Sequence, residues 1–172
     1  MTDEQEEIVW QGKFIAAKRK GKWEYVSRTR NVTAAVILAI DDDAVILVEQ
    51  HRAPLGRNCL ELPAGLVGDE QEGEEVESAA IRELEEETGY RAAHLVDLGR
   101  YFASPGMSSE YFTLLRAEGL TKVGEGGGVP GENIIVHRVP LDTLPAFVAA
   151  KREAGVAMDV KLLILMGAQL LR

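Results

Sequence analysis

Apolar positions recur in two rhythms along this chain, and the changes of rhythm mark its elements. TAAVILAI and AVILVEQH are short apolar runs rich in Val and Ile, and Asp41, Asp42 and Asp43 between them predict a hairpin turn. Upstream, WQGKFIAA and KWEYVSR flank a turn at Lys18–Lys22 and predict an N-terminal hairpin. CLELP reads as a short strand ended by Pro63. The rhythm then lengthens: in EVESAAIRELEEETG the residues Val76, Ala79, Ala80 and Leu84 recur at helical spacing, and Gly89 stops the helix. HLVDLGRYFA, EYFTLLRA and NIIVHRVP return to strand character. Between the last two, GEGGGVPG at Gly124–Gly131 carries five glycines and predicts a mobile loop rather than a domain linker. Two helices are expected to close the chain, one over Leu144–Glu153 capped by Asp142 or Thr143, the other over Asp159–Leu171. No internal repeat is visible. Strands interrupted by one helix and ended by helices predict an α/β chain with a mixed sheet sandwiched by helices.

The central helix is charged where a helix least tolerates it. Glu83, Glu85, Glu86 and Glu87 crowd its last turns, with Glu74 upstream, although the macrodipole there is already negative and favours cations. Glu83 and Glu87 share a face, and Glu86 lies three residues from Glu83, so like charges also repel locally. Each misplacement costs only about 0.3–1 kcal/mol, but several point the same way, and Arg82 is the one base in the cluster. A bound divalent cation would turn this repulsion into ligation; the alternative is a solvated acidic face.

Composition narrows the partners. The 172 residues fit one domain with a sizeable core, and 46% hydrophobic and 27% charged residues are ordinary for a globular protein. A formal net charge of −9 argues against nucleic-acid binding, which needs a basic face, and makes an anionic substrate depend on a metal or local arginines. Cys59 stands alone, so no internal disulfide forms and a reducing compartment is expected. The acidic opening MTDEQEE predicts no signal peptide, and LLILMGAQLL is too short to span a bilayer. A cytoplasmic protein without a membrane partner is expected.

The spacing of these residues resembles the Nudix signature: Gly, five residues, Glu, seven residues, then R-E-U-x-E-E-x-G-U with U bulky and apolar. Gly68, Glu74, Arg82, Glu83, Leu84, Glu86, Glu87, Gly89 and Tyr90 fill it. Beyond the signature, GKFI, WEYVSR, VEQHRAP, CLELPAGLV, ASPGMSSE and GENIIVHRVPL are similar to the ADP-ribose pyrophosphatase branch of that family. One departure stands out. In those relatives the glycine of PAG opens the signature, six positions before the first Glu; here Gly65 lies nine positions before Glu74, as if three residues were inserted, and Gly68 restores the spacing. Either Gly68 is the loop glycine or the loop bulges.

The resemblance implies a Nudix α/β/α sandwich at residues 32–172 preceded by an N-terminal hairpin at 1–31, the latter serving dimerisation and the nucleobase. It implies a homodimer hydrolysing a nucleoside diphosphate sugar, most simply ADP-ribose to AMP and ribose 5-phosphate, with GDP-mannose or another such sugar as the alternative. Mg²⁺, or Mn²⁺ in its place, would be held by Glu83 and Glu87, with Glu86 supporting a second ion and the carbonyl of Ala64 as a further ligand. Arg82 would hold these carboxylates in place. Glu132 occupies the place of the general base, with Glu125 on the same loop as competitor. Phe14 and Trp23 match positions that stack on the base, where a flat ring offers contact area at low entropy cost; core or interface packing is the other reading. Arg28 and Arg52 match phosphate or ribose contacts, which suit the guanidinium fork, against surface salt bridges. Glu110 is placed near the terminal ribose or at a solvated strand start, and Gly106 of the SPG at Ser104–Gly106 belongs to the same substrate side. A sensor domain of the same family, binding the nucleotide sugar without cleaving it, would have lost its glutamates.

The remaining candidates are plainer. Trp10 is assigned to packing. His51, His94 and His137 show no metal-ligand spacing and read as structural or surface residues. Cys59 reads as a small buried hydrophobe, and water is the expected nucleophile.

Overall fold

The structure, a computed structural model, describes residues 4–30, 32–69 and 73–170. The chain opens with β1 (Glu6–Gln11), β2 (Ile15–Lys20) and β3 (Trp23–Arg28), a three-stranded antiparallel sheet of its own. The expected two-stranded hairpin is therefore corrected: WQGKFIAA is two strands, folded at Gly12, whose N–H donates to the Ile15 carbonyl at 2.9 Å, and β2 runs on through Lys20 to a tighter turn. Trp10 is not packed in a core; it is 57% exposed and lies over Gly12.

Next come β4 (Thr33–Asp41) and β5 (Ala44–Arg52), both continuous apolar runs because both of their faces are covered. They turn at Asp42, which takes the left-handed conformation at φ 55 that an Asp tolerates. The hairpin then opens. Only Ile40↔Val45 and Asp41↔Ala44 pair before the strands part; β6 (Arg57–Glu61) continues along β5, and β7 (Ala64–Val67) continues along β4. The chain crosses the gap at Leu62–Pro63, where the Ile37 N–H donates to the Pro63 carbonyl at 2.8 Å.

The acidic helix α1 (Val76–Thr88) follows, capped by Gly89 at φ 70. After it come β8 (Tyr90–Arg91), β9 (His94–Tyr101), β10 (Phe112–Glu118), β11 (Thr121–Lys122) and β12 (Ile135–Pro140). Then α2 (Leu144–Glu153), β13 (Ala157–Met158), a 3₁₀ turn at Val160–Leu162 and α3 (Leu163–Leu170) close the described chain. The expected last helix is thus a 3₁₀ turn capped by Asp159 and a shorter α-helix, and Leu171 lies outside the described residues. Thr143 precedes α2 but gives it no side-chain cap; its hydroxyl donates to the Pro140 carbonyl instead. Strands β13-β6-β5-β4-β10-β9 form the path of a mixed sheet, parallel at β10/β4 and β13/β6.

Alternate residues of β4 sort the core into two layers. Ala35, Ile37 and Ala39 face α1 with Ala79, Ala80 and Leu84. Val36 faces the α2 side with Leu144, Val148 and Leu162. This is the helix–sheet–helix sandwich expected of the sequence, and no described helix is long and apolar enough to cross a membrane. Leu84, fully buried at the centre of the first layer, anchors α1. Leu84→Ala is expected to cost about 2–5 kcal/mol, read as a lower urea midpoint.

Candidate active site

Helix α1 points its acidic face at the main chain that crosses the gap. Gly65 lies so close under Glu83 that an added Cβ would sit 2.0 Å from the carboxyl carbon. One residue earlier, the Ala64 N–H donates to Glu87 Oε2 at 3.0 Å. Gly65 is therefore fixed by close approach, while Gly68 is fixed by its φ of 83 at the loop start; each glycine has its own requirement.

Glu87 is 5% exposed. Burial pushes its pKa up to about 8; the Ala64 N–H and Arg52 oppose the shift, while the charges of Glu83 and Glu132 add to it. Burial also raises Glu83, against the pull of Arg82 and with a contribution from Glu86 and Asp69. Arg82 gathers the rest: its guanidinium is 2.9 Å from Glu83, 3.4 Å from Glu86 and 3.5 Å from Glu74. In this arrangement no three carboxylate, His or Cys side chains converge on one point among the described residues. A divalent cation nonetheless fits the donor set. Glu83 and Glu87 share one face of α1 and burial raises the pKa of both, so a hard cation with oxygen preference would offset the cost of charging them.

The helix end is fully accounted for, as buried backbone acceptors must be. The Glu85 carbonyl accepts from Gly89 N, Glu86 from Gly128 N at 3.0 Å, and Glu87 from Gly127 N at 2.8 Å. The Thr88 carbonyl accepts from Lys122 Nζ at 2.8 Å, and Gly89 accepts from Val123 N and Gly124 N. The glycine-rich segment predicted as a mobile loop is docked here. Glu132 stands on it, exposed, with Oε2 accepting from the Val129 N–H at 2.9 Å. Its charge adds to the upward shift of Glu87.

A cleft of about 350 Å³ runs to Ala64 and Gly65, the backbone on which Glu87 and Glu83 rest. Three cations line it, each paired. Arg52 binds Glu61 through two bonds of 2.7 Å, Arg28 donates to Glu110 at 2.7 Å, and Lys161 meets Asp159 at 2.7 Å while lying 5.5 Å from the Phe112 ring centre. Phe14 lines a neighbouring cavity with Arg28, and Trp23 lines a third with Pro105 and Gly106. Phe14 and Trp23, 56% and 58% exposed, stand at opposite ends of the β2–β3 ribbon, their backbones about 20 Å apart at strand rise. The 104–109 loop that brings Gly106 beside Trp23 is held by Val26 N to the Met107 carbonyl and Ser109 N to the Val26 carbonyl.

Sequence reasoning missed Glu61 and Lys161. A charged residue inside the apolar CLELP was a usable signal for Glu61; Lys161 offered none. Of the histidines, His51 is exposed, His94 meets Glu118 at the surface, and His137 joins Asn58 and Lys151 around buried Glu49. Burial works against the Glu49 charge, yet those three hydrogen bonds hold its pKa near about 2, pinning α2 to the sheet well away from α1. Cys59 is 4% exposed with its pKa pushed up to about 12 by burial and by Glu61.

A NUDIX domain model matches residues 29–157. An ADP-ribose pyrophosphatase of Bacillus subtilis (strain 168) is 42% identical over 91 residues, 53% of this chain and 48% of that protein. An ADP-sugar pyrophosphatase of Mus musculus is 35% identical over 122 residues, 60% of this chain and 55% of that one. The chain thus spans about half the length of these curated relatives. A solved structure of an ADP compounds hydrolase superposes on 96% of this chain and 91% of its own with TM-score 0.71 at 24% identity, a likeness of fold. With the domain match running from the end of β3 through α1 to β13, the chain belongs to the Nudix family.

Proposed function

We propose that this protein hydrolyses the diphosphate of a nucleoside diphosphate sugar in the presence of Mg²⁺ or Mn²⁺, with ADP-ribose, cut to AMP and ribose 5-phosphate, as the preferred substrate. The observation that carries the reading is the pair of half-buried Glu83 and buried Glu87 on one face of α1, resting on the Ala64–Gly65 backbone that lines a cleft with three cations. Such a pair holds a divalent cation, with Glu86 beside it and the Ala64 backbone as a further contact. The bound ion offsets the charge of the diphosphate and lowers the pKa of a water. Arg82 orients the carboxylates. Arg28, Arg52 and Lys161 exchange a carboxylate partner for phosphate or ribose oxygens. Glu132 takes the proton as a water oxygen bonds to phosphorus and the bridging P–O bond breaks.

The nucleobase reading rests on Trp23 and Phe14. Within one chain they are too far apart to hold the same base, so a two-sided stack needs the ribbon of a second copy. The exposed Ile8, Val9, Trp10 and Ile15 on the same small sheet offer the apolar area for such a homodimer. Glu110 and Gly106 border these cavities and belong to the sugar and base sides. The cytoplasm is the proposed location, without nucleic acid or membrane as partner. The names of the relatives favour an adenosine diphosphate substrate; other nucleoside diphosphate sugars are the second reading. A non-catalytic sensor is disfavoured because Glu74, Glu83, Glu86 and Glu87 are all present.

The test is product analysis across a panel of nucleoside diphosphate sugars, with Mg²⁺ or with EDTA, resolved by ion exchange. AMP released fastest from ADP-ribose, and only with metal, is the expected outcome. GMP from GDP-mannose as the leading product overturns the base assignment, and no product from a folded, metal-loaded sample overturns hydrolysis altogether.

A further inference from the structure

Five successive carbonyls, from Glu85 to Gly89, end the helix that carries the metal-site glutamates, and four of them are bound by the segment 122–128. Three of those four take backbone N–H groups. The fourth, on Thr88, takes the ammonium of Lys122, which also lies 4.7 Å from the centre of the Tyr90 ring. An ammonium suits this place, because the last carbonyls concentrate the negative end of the dipole and the ring face adds to the attraction. The approach is backbone on backbone: a Cβ on Gly126 would lie 2.5 Å from the Thr88 carbonyl carbon and 2.7 Å from the Glu87 oxygen. The docked segment then leads directly to Glu132, with the Ile134 N–H returning to the Gly127 carbonyl at 3.1 Å. So the chain from Lys122 to Ile134 is laid along the end of α1, and the distance from Glu132 to the helix glutamates is set by that contact.

We propose that Lys122 is a positioning residue for the loop base: it clips the glycine segment to the end of α1 and thereby holds Glu132 in register with Glu86 and Glu87. It touches no substrate. Its effect passes through Glu132, so this inference rests on the reading of Glu132 as the base. A displacement of about 1 Å at such a base can cost 10²-fold.

The experiment is a double-substitution cycle in the full chain with ADP-ribose and Mg²⁺. Lys122→Met is expected to lower kcat about 10- to 100-fold while KM and the Mg²⁺ midpoint stay within about threefold. Lys122→Arg, which keeps the donor and the ring contact, should recover most of the rate. Because the two residues act through one group, Lys122→Met added to Glu132→Gln should cost nothing further. Amide exchange gives a readout independent of turnover: Lys122→Met should speed exchange at Gly127 and Gly128 and leave Ala80 and Leu84 protected. Losses that multiply in the double variant, or wild-type kcat in Lys122→Met, overturn the proposal. Near-normal turnover in Glu132→Gln alone instead removes the base reading on which it stands.

Discussion

Glu87→Gln is expected to remove turnover, by about 10³-fold or more as for loss of a principal electrostatic group, and at the same time to stabilise the metal-free protein at pH 8. Both effects follow from one buried carboxyl. Its folded pKa of about 8 lies above its ordinary value of 4.5, so the folded state binds the proton more tightly than the unfolded chain. Below the ordinary value both states are protonated and the stabilising proton is fully present. As pH climbs from about 4.5 to about 8 that contribution is lost, and above it the carboxylate sits buried and charged. Glutamine keeps the oxygen that accepts from Ala64 N–H but carries no charge, so the decline should vanish from the melting curves. A divalent cation added to the wild type should restore the lost stability, most strongly at the alkaline end where the ligand is already deprotonated. In Glu87→Gln the response should be blunted. Melting temperatures across pH 5–9, with Mg²⁺ and with EDTA, check all of this in one plate. Equal pH slopes in the two proteins would sink the assignment of a strained carboxyl at this position.

Glu132→Gln is expected to lower kcat by about 10² to 10⁴, the range for removal of a general base, without touching either stability or the metal midpoint. The contrast with Glu87 comes from place. Glu132 is exposed on a docked loop and contacts its own Val129 N–H, which glutamine can still satisfy. Glu125→Gln, by comparison, should remain near wild type, since Glu132 rather than Glu125 is proposed as the base. A kcat unchanged in Glu132→Gln would transfer the base elsewhere.

Local rules explain what the chain displayed before its structure was known. Both ends of α1 were legible because Val76, Ala79, Ala80 and Leu84 keep helical spacing and Gly89 supplies the left-handed cap. The runs forming β4 and β5 were legible because burial on both faces leaves no polar interruption. The fold of WQGKFIAA into two strands was not legible, since its turn at Gly12 lies inside a run of strand-forming residues and β1 carries a register shift between Ile8 and Trp10. AGLV went unread because four residues after a proline carry too little period. In the candidate site, the glutamates of α1 were readable as a spaced set. Their surroundings were not: Gly65 under Glu83, Glu61 on Arg52, and Lys161 at the cleft are meetings of distant segments. The glycine run announced a loop, but its docking joins residues 86–89 to 122–128, and no local pattern encodes that pairing.

The early parting of β4 and β5 separates two kinds of inheritance. On the proposed reading, reactivity belongs to the frame, because the strand crossing at Leu62–Pro63 delivers the Ala64 N–H and the bare Gly65 to the helix. On the proposed reading, selectivity belongs to appendages, since Phe14, Trp23, Arg28 and Gly106 hang from the small N-terminal sheet and the segment strapped to Val26. If that reading holds, a lineage built this way trades one substrate for another by remodelling its periphery while the α1 face and its strand crossing stay untouched.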